Sequence, residues 1–177
     1  LLKEAKRTAE LTGTSKEEIM KKAYELGFGY ERDFGNCPQC VIAALQDIFG
    51  EVDNEVFKAG YGLAGGGALL GQGTCGALCG AMMVISSLFG RERERFDEKP
   101  RKAYRLSKRV FESFVHEFGS CICRDVQVKM MGRSFNLWDK DDYQAFEEAG
   151  GHIDKCPHVV GKTAAWAAGM LWEEYCY

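Results

Sequence analysis

Apolar positions recur along this chain at three- and four-residue intervals almost from end to end, and no stretch alternates as a half-buried strand would. The pattern predicts helices. Ser15, with Glu18 three residues on, makes a capping box and opens a helix expected to run to Leu26, ahead of Gly27 and Gly29. Asn36 with Gln39 reads as a second box, opening a helix that turns Val41, Ile42, Leu45, Ile48 and Phe49 inward and closes at Gly50. A short helix is expected from Asp53 to Tyr61. Thr74 can cap a helix to Phe89, with Gly90 as its left-handed stop. Residues 91–101 are charged and contain Pro100, so they read as a loop. Ala103, Leu106, Val110, Phe111, Phe114 and Phe118 mark the next helix, ended by Gly119. Residues 124–138 carry no clear pattern. Asp139 caps a short helix with Tyr143 and Phe146 on its apolar side. Pro157 opens the last helix, striped with Val160, Ala164, Ala167, Met170 and Leu171.

These elements predict an all-α fold: one compact bundle of about six to eight helices over residues 1–177, with residues 1–14 as a peripheral N-terminal segment. A chain of this length buries roughly 70% of its unfolded surface and folds without cross-links. Residues 59–90 carry no formal charge, which is long enough to raise a membrane span. Ten of those 32 residues are glycine, so a buried helix behind a tight loop is expected instead. The chain begins at Leu1, so its native start is taken to be missing. No leader is visible, and a cytoplasmic setting is expected with export left open.

Lys and Arg number 23 against 26 Asp and Glu, a balance of −3 that lacks the basic excess of a dedicated nucleic-acid binder. Nine Lys or Arg and four Asp or Glu fall within residues 91–109. That run could dock an acidic redox partner protein, although a solvated loop and helix face is the more common role. Trp138, Trp166 and Trp172 are read as core residues, or as contacts of a homodimer.

Eight cysteines, at 37, 40, 75, 79, 121, 123, 156 and 176, are too sparse for a disulfide-built scaffold in a chain that has its own core. Metal or redox chemistry is the better reading. Cys37 follows Asn36, Cys75 follows Thr74, Cys123 lies three residues after Ser120, and Cys156 precedes Pro157, with Asp154 or Cys156 itself as the cap. All four fall in the first turn of an expected helix. There, about half a positive charge and free N–H groups stabilise a thiolate. If the four starts converge, they form a pocket for an anionic sulfur-rich ligand such as an iron–sulfur cluster. Gly73, Thr74 and Gly76 would shape the loop whose N–H groups point at it. Cys40 and Cys79 lie one turn deeper, and Cys121 two residues before Cys123. These three are candidates for additional ligands, a second site or a resolving thiol, while small core residues are an equal reading for Cys40 and Cys79. Cys176 is assigned no role.

The segments NCPQCVIAAL, GGGALLGQGTCGALCGAMM, GSCICRDV and CPHVVGKTAAWA resemble, in order, the C_GCAxxG_C_C family of redox-active proteins. The resemblance matches Cys37 to the family's first cysteine and Cys75 to that of its glycine motif, with Gly76, Ala77 and Gly80. Cys123 and Cys156 match the third and fourth. A related domain occurs in split-Soret cytochromes, which carry an iron–sulfur centre and c-type haems, so the resemblance implies a metal site. Haem does not carry over, because Cys37-Pro38-Gln39-Cys40 is followed by Val41 and not histidine.

The leading expectation is a [4Fe–4S] or [2Fe–2S] protein that transfers electrons or performs redox chemistry at its cluster, with a larger or second cluster if the extra cysteines ligate. A metal-free thiol–disulfide oxidoreductase using Cys37 and Cys40 is the alternative, although the βαβ context of such a motif is absent. A zinc-stabilised interaction module is the third, with His158 replacing one thiolate. His116 and His152 have less claim.

Overall fold

Ser15 opens the first helix as expected. Its Oγ accepts from the Glu18 N–H, and the Glu18 carboxylate accepts from the Ser15 N–H at 2.8 Å. The computed structural model describes residues 13–176, so the expectation for a peripheral segment falls almost wholly outside the described residues. Among these are eight α-helices: α1 (Lys16–Phe34), α2 (Cys37–Phe49), α3 (Asn54–Ala59), α4 (Gly76–Phe89), α5 (Arg101–Phe118), α6 (Cys123–Met131), α7 (Lys140–Glu148) and α8 (Cys156–Cys176). No strand forms among the described residues beyond one isolated bridge, Thr74 with Ile122.

Helix α1 does not end at Leu26. It runs through Gly27 and Gly29 to Phe34. Glycine inside a helix costs about 1 kcal/mol relative to alanine, and at Gly27 the missing side chain lets α8 approach. A Cβ at Gly27 would lie 3.2 Å from the Ala164 Cβ. Helix α8 reciprocates, since a Cβ at Gly161 would lie 2.8 Å from the Tyr24 ring and one at Gly169 2.8 Å from the Met20 sulfur. Accordingly, α1 and α8 make the most extensive helix contact in the molecule.

The second capping box is absent. Asn36 adopts the left-handed conformation (φ 68°) and makes no capping bond. Following Gly35 (φ 67°), it reverses the chain sharply and turns its amide away from α2 to donate to the Tyr61 carbonyl at 3.2 Å. Gln39 donates to the Phe57 carbonyl at 3.1 Å. The inward stripe of α2 is buried and Gly50 closes it in the left-handed conformation, both as expected.

Cys75, not Thr74, is the residue before α4, because Thr74 is held in the bridge to Ile122. Gly90 is extended and not left-handed (φ −75°, ψ −179°), since the chain leaves α4 straight into the charged segment. In α5 the expected positions are buried except Phe111, which is 37% exposed. One position past Val110, it sits about 100° around the helix from the inward stripe. The stretch without a clear pattern contains all of α6 but its first residue, Cys123, and the helix is preceded by Ile122 and not Ser120. Asp139 caps α7, accepting from the Asp141 and Asp142 N–H groups at 3.1 and 2.9 Å. Phe146 beneath it is buried, while Tyr143 stays exposed. The whole predicted stripe of α8 is buried.

Helices α1, α2, α4, α5 and α8 enclose the core. Fully buried Leu45, Leu106, Phe114 and Leu171 stabilise it by roughly 1.5–3 kcal/mol each. The basic run is largely spent within the chain: Lys102 and Arg105 pair with Glu174 and Arg109 with Glu173, alongside Lys16. Trp166 and Trp172 pack against the core, whereas Trp138 is exposed and its indole N–H donates to the Ala68 carbonyl at 2.8 Å. No helix among the described residues is long and apolar enough to cross a membrane.

Candidate functional site

Between α3 and α4 the backbone does something L-residues rarely do. Gly65, Gly66, Gly67, Ala68 and Leu69 all have positive φ, from 46° to 83°. Such residues normally occur singly, because each non-glycine one costs roughly 1–2 kcal/mol. The run is held by its own bonds, Ala68 N–H to Gly62 O at 2.9 Å, Leu69 N–H to Ala64 O at 3.0 Å and Gly71 N–H to Gly65 O at 2.8 Å. It brings the loop against Cys123, where a Cβ at Gly66 would lie 2.6 Å from the Cys123 Cβ, and at the start of α4 a Cβ at Gly76 would lie 2.5 Å from the Cys37 sulfur. The Thr74–Ile122 bridge then locks the glycine loop to the segment that starts α6. The Cys75 N–H donates to Cys121 O at 2.8 Å and the Cys123 N–H to Gly73 O at 3.0 Å.

Cys37, Cys75, Cys123 and Cys156 therefore line one cavity of about 250 Å³. Three are at helix starts as expected. Cys156 is not at a free start: a single π-type turn, Gly151–Lys155, runs into α8, and the Cys156 N–H is spent on Gly151 O. The backbone N–H groups that reach sulfur are Gly65 toward Cys37 and Ala77 toward Cys75. Gly73 spends its N–H on Gly66 O at 2.8 Å and Thr74 is held in the bridge, so these two hold the loop's shape. Gly76 acts through its missing side chain.

Three more side chains on the cavity wall have chemical potential. Gln127, 3% exposed, directs its amide N–H at the Cys123 sulfur (3.9 Å) and accepts from the Phe135 N–H at 3.0 Å. Glu31, 2% exposed, leaves Oε2 without a hydrogen-bond partner. His152 places Nε2 4.0 Å from Glu31 Oε1 and is fixed from behind by its Nδ1 contact with Glu147 Oε1 at 2.5 Å. No Lys or Arg lines the cavity. Glu31 was hidden by the expected helix end at Leu26. With α1 extended, the buried series Ile19, Ala23, Gly27, Glu31 is one stripe at four-residue spacing, and an acid completing an apolar stripe is the signal that could have found it.

Electrostatics follow from this crowding. The hydrogen bond between Cys37 and Cys75 raises the Cys37 thiol well above its ordinary value, with burial and Glu31 adding and Gly65 opposing. The same bond lowers Cys75, but burial and the neighbouring Cys123 and Cys156 outweigh it, and the net shift is upward. Burial, then Cys37 and Glu31, push Cys123 up to about 12. Burial and Glu31 raise Cys156 well above the usual thiol range. Glu31 itself is pushed up to about 7 by burial, against the pull of His152. Burial and the crowding of the four sulfurs therefore work against the thiolate that a helix start favours.

The other four cysteines lie outside this cavity. Cys40 is buried in the first turn of α2 and donates to Gly35 O at 2.8 Å. Cys79, one turn deeper in α4 than Cys75, is directed at Thr74 O at 3.8 Å and lines a separate groove with Met82 and Met83. Cys121 is half-buried beside the bridge, and Cys176 packs at the end of α8. His158 bonds Tyr24 at 2.9 Å, not a cysteine. Among the described residues, no three His, Cys, Asp or Glu side chains gather at one ion-sized point. The four thiols instead surround a space.

Compared with known proteins, residues 35–170 match the model of a family described as "Putative redox-active protein (C_GCAxxG_C_C)". No curated protein and no solved structure matches the chain.

Proposed function

This chain belongs to the C_GCAxxG_C_C family of redox-active proteins, and from that premise we propose that Cys37, Cys75, Cys123 and Cys156 hold an iron–sulfur cluster through which it exchanges electrons. The observation that carries the reading is one cavity lined by four thiols from four separate elements, with Glu31 beside them and no Lys or Arg on its wall. Such a donor set binds protons when empty and favours a multiply charged soft cation when deprotonated. Four thiols around one cavity are the donor number that an iron–sulfur cluster takes. When bound, a cluster supplies one-electron oxidation and reduction, and its potential responds to hydrogen bonds at sulfur and to burial.

The chain's own groups then have distinct tasks. The four thiols ligate. Gly65, Ala77 and Gln127 direct N–H groups at sulfur. Val126, Phe146 and Val160 keep the cavity apolar and exclude water. Phe34 and Leu69, exposed at its rim, mark the approach for a redox partner. A disulfide between Cys37 and Cys40 has less support, because the Cys40 thiol is bonded to Gly35 and burial raises it.

The test is iron, zinc and acid-labile sulfide per chain on protein purified without oxygen, with its visible spectrum. Iron with matching sulfide is expected. Cys75→Ser should lose the metal and the colour, while Cys176→Ser should keep both. Full metal content in Cys75→Ser would refute the four-thiol assignment. Zinc without sulfide would make the centre structural.

A further inference from the structure

We propose that Glu31 is a fifth donor of this site: its carboxylate, beside His152, ligates the metal held among Cys37, Cys75, Cys123 and Cys156, making the centre one of mixed sulfur and oxygen ligation. This rests on the cluster reading above.

Glu31 sits where α1 should present another small apolar residue. It follows Ile19, Ala23 and Gly27 on the buried stripe, and it is only 2% exposed. A buried carboxylate ordinarily has its oxygens satisfied by N–H donors or by a cationic side chain. Glu31 has neither. Its Oε2 has no hydrogen-bond partner, and no Lys or Arg lines the cavity. The nearest candidate, His152 Nε2, stops 4.0 Å from Oε1, beyond a hydrogen bond, and its ring is fixed by Glu147 on the other side. The Cys40 thiol, also close to this carboxylate, donates to Gly35 O at 2.8 Å.

The wall of the cavity thus carries four sulfurs and one carboxylate oxygen with a free lone pair. Placed beside four thiolates with nothing between, that carboxylate would only add repulsion. With a metal between them, the same five groups become complementary to one charge. Iron accepts carboxylate as well as thiolate ligands. The arrangement of Glu147 behind His152, and His152 beside Glu31, has the form of an outer shell that orients a metal-binding group. A harder donor at one edge would make one metal position differ from the others.

The test loads wild type, Glu31→Gln and Glu31→Asp with ferrous iron and sulfide without oxygen. It compares iron and sulfide content, X-ray absorption at the iron edge, and thermal melting of the metal-free proteins. Wild type is expected to show an oxygen shell beside the sulfur shell. Glu31→Gln should lose the oxygen shell and bind iron roughly 10- to 100-fold more weakly, while its metal-free form melts no lower than wild type, so that loss of iron is not loss of fold. Glu31→Asp should restore part of the oxygen signal. If Glu31→Gln loads fully with an unchanged absorption spectrum, Glu31 is not a ligand and the four-thiol reading stands. If wild type itself takes up no iron, the cluster reading fails and this inference with it.

Discussion

Glu31 in the metal-free fold gives up its proton near pH 7, whereas an unfolded glutamate does so near 4.5. A raised carboxyl binds its proton more tightly when folded, so stability is greatest below pH 4.5, falls as pH rises toward 7 and is level above it. The loss is roughly 3 kcal/mol. Urea unfolding of metal-free protein at pH 5 and pH 8 should show it, and Glu31→Gln should flatten the difference. A wild-type profile without a fall between those pH values would mean that Glu31 has a partner in solution. At this scale, Cys37, Cys75, Cys123 and Cys156 could be singled out because nearness to a helix start is a local pattern, although Thr74 and Ser120 are not the caps the fold uses and Cys156 has no free start. Glu31, Gln127 and His152 were not, because a buried polar side chain declares itself only through its surroundings. Gly65, which supplies an N–H to Cys37, was visible as one glycine in a loop, but not as a donor.

The joint between α2 and α4 tests the elements. A Cβ at Gly80 would stand 2.4 Å from Pro38 O and 2.9 Å from Pro38 Cα. Backbone cannot yield as a side-chain tip can. Gly80→Ala should therefore destabilise the protein by about 1–3 kcal/mol despite alanine's better helix propensity. Because Pro38 follows Cys37, it should also reduce iron loading. Unfolding curves and metal analysis on the same preparation separate the two effects, and an unchanged midpoint would show that the helices have room. Helix existence was readable from periodicity except for α6, which lies in the stretch without a clear pattern, and the caps Ser15 and Asp139 were read correctly. The errors lie where tertiary contact overrules local preference. Gly27 serves α8 and does not stop α1, Asn36 turns toward Tyr61, and Thr74 answers to Ile122.

At the scale of the whole molecule, the cysteines that meet at one cavity span residues 37 to 156. A ligand gripping all four ties α2, α4, α6 and α8 together, and it binds the folded chain far better than the unfolded one. At a free metal concentration about 100 times the dissociation constant, this adds about 2.7 kcal/mol, or roughly 5–10 °C in melting temperature. Calorimetry of loaded and chelated protein should show that rise, and equal melting temperatures would place the metal outside the core. An all-α architecture was legible in full. Which helix starts converge was not, since that depends on how α1 and α8 pack, and the small residues that decide it act across more than 130 positions of sequence.

The left-handed run at residues 65–69 has a consequence for chirality. At Ala68, exposed and with φ 46°, the backbone follows the path preferred by a mirror-image amino acid. A semisynthetic chain carrying D-alanine there should fold to the same structure and gain about 1–2 kcal/mol over the natural L-residue. Inside the right-handed helices on either side, the same inversion would work against the fold.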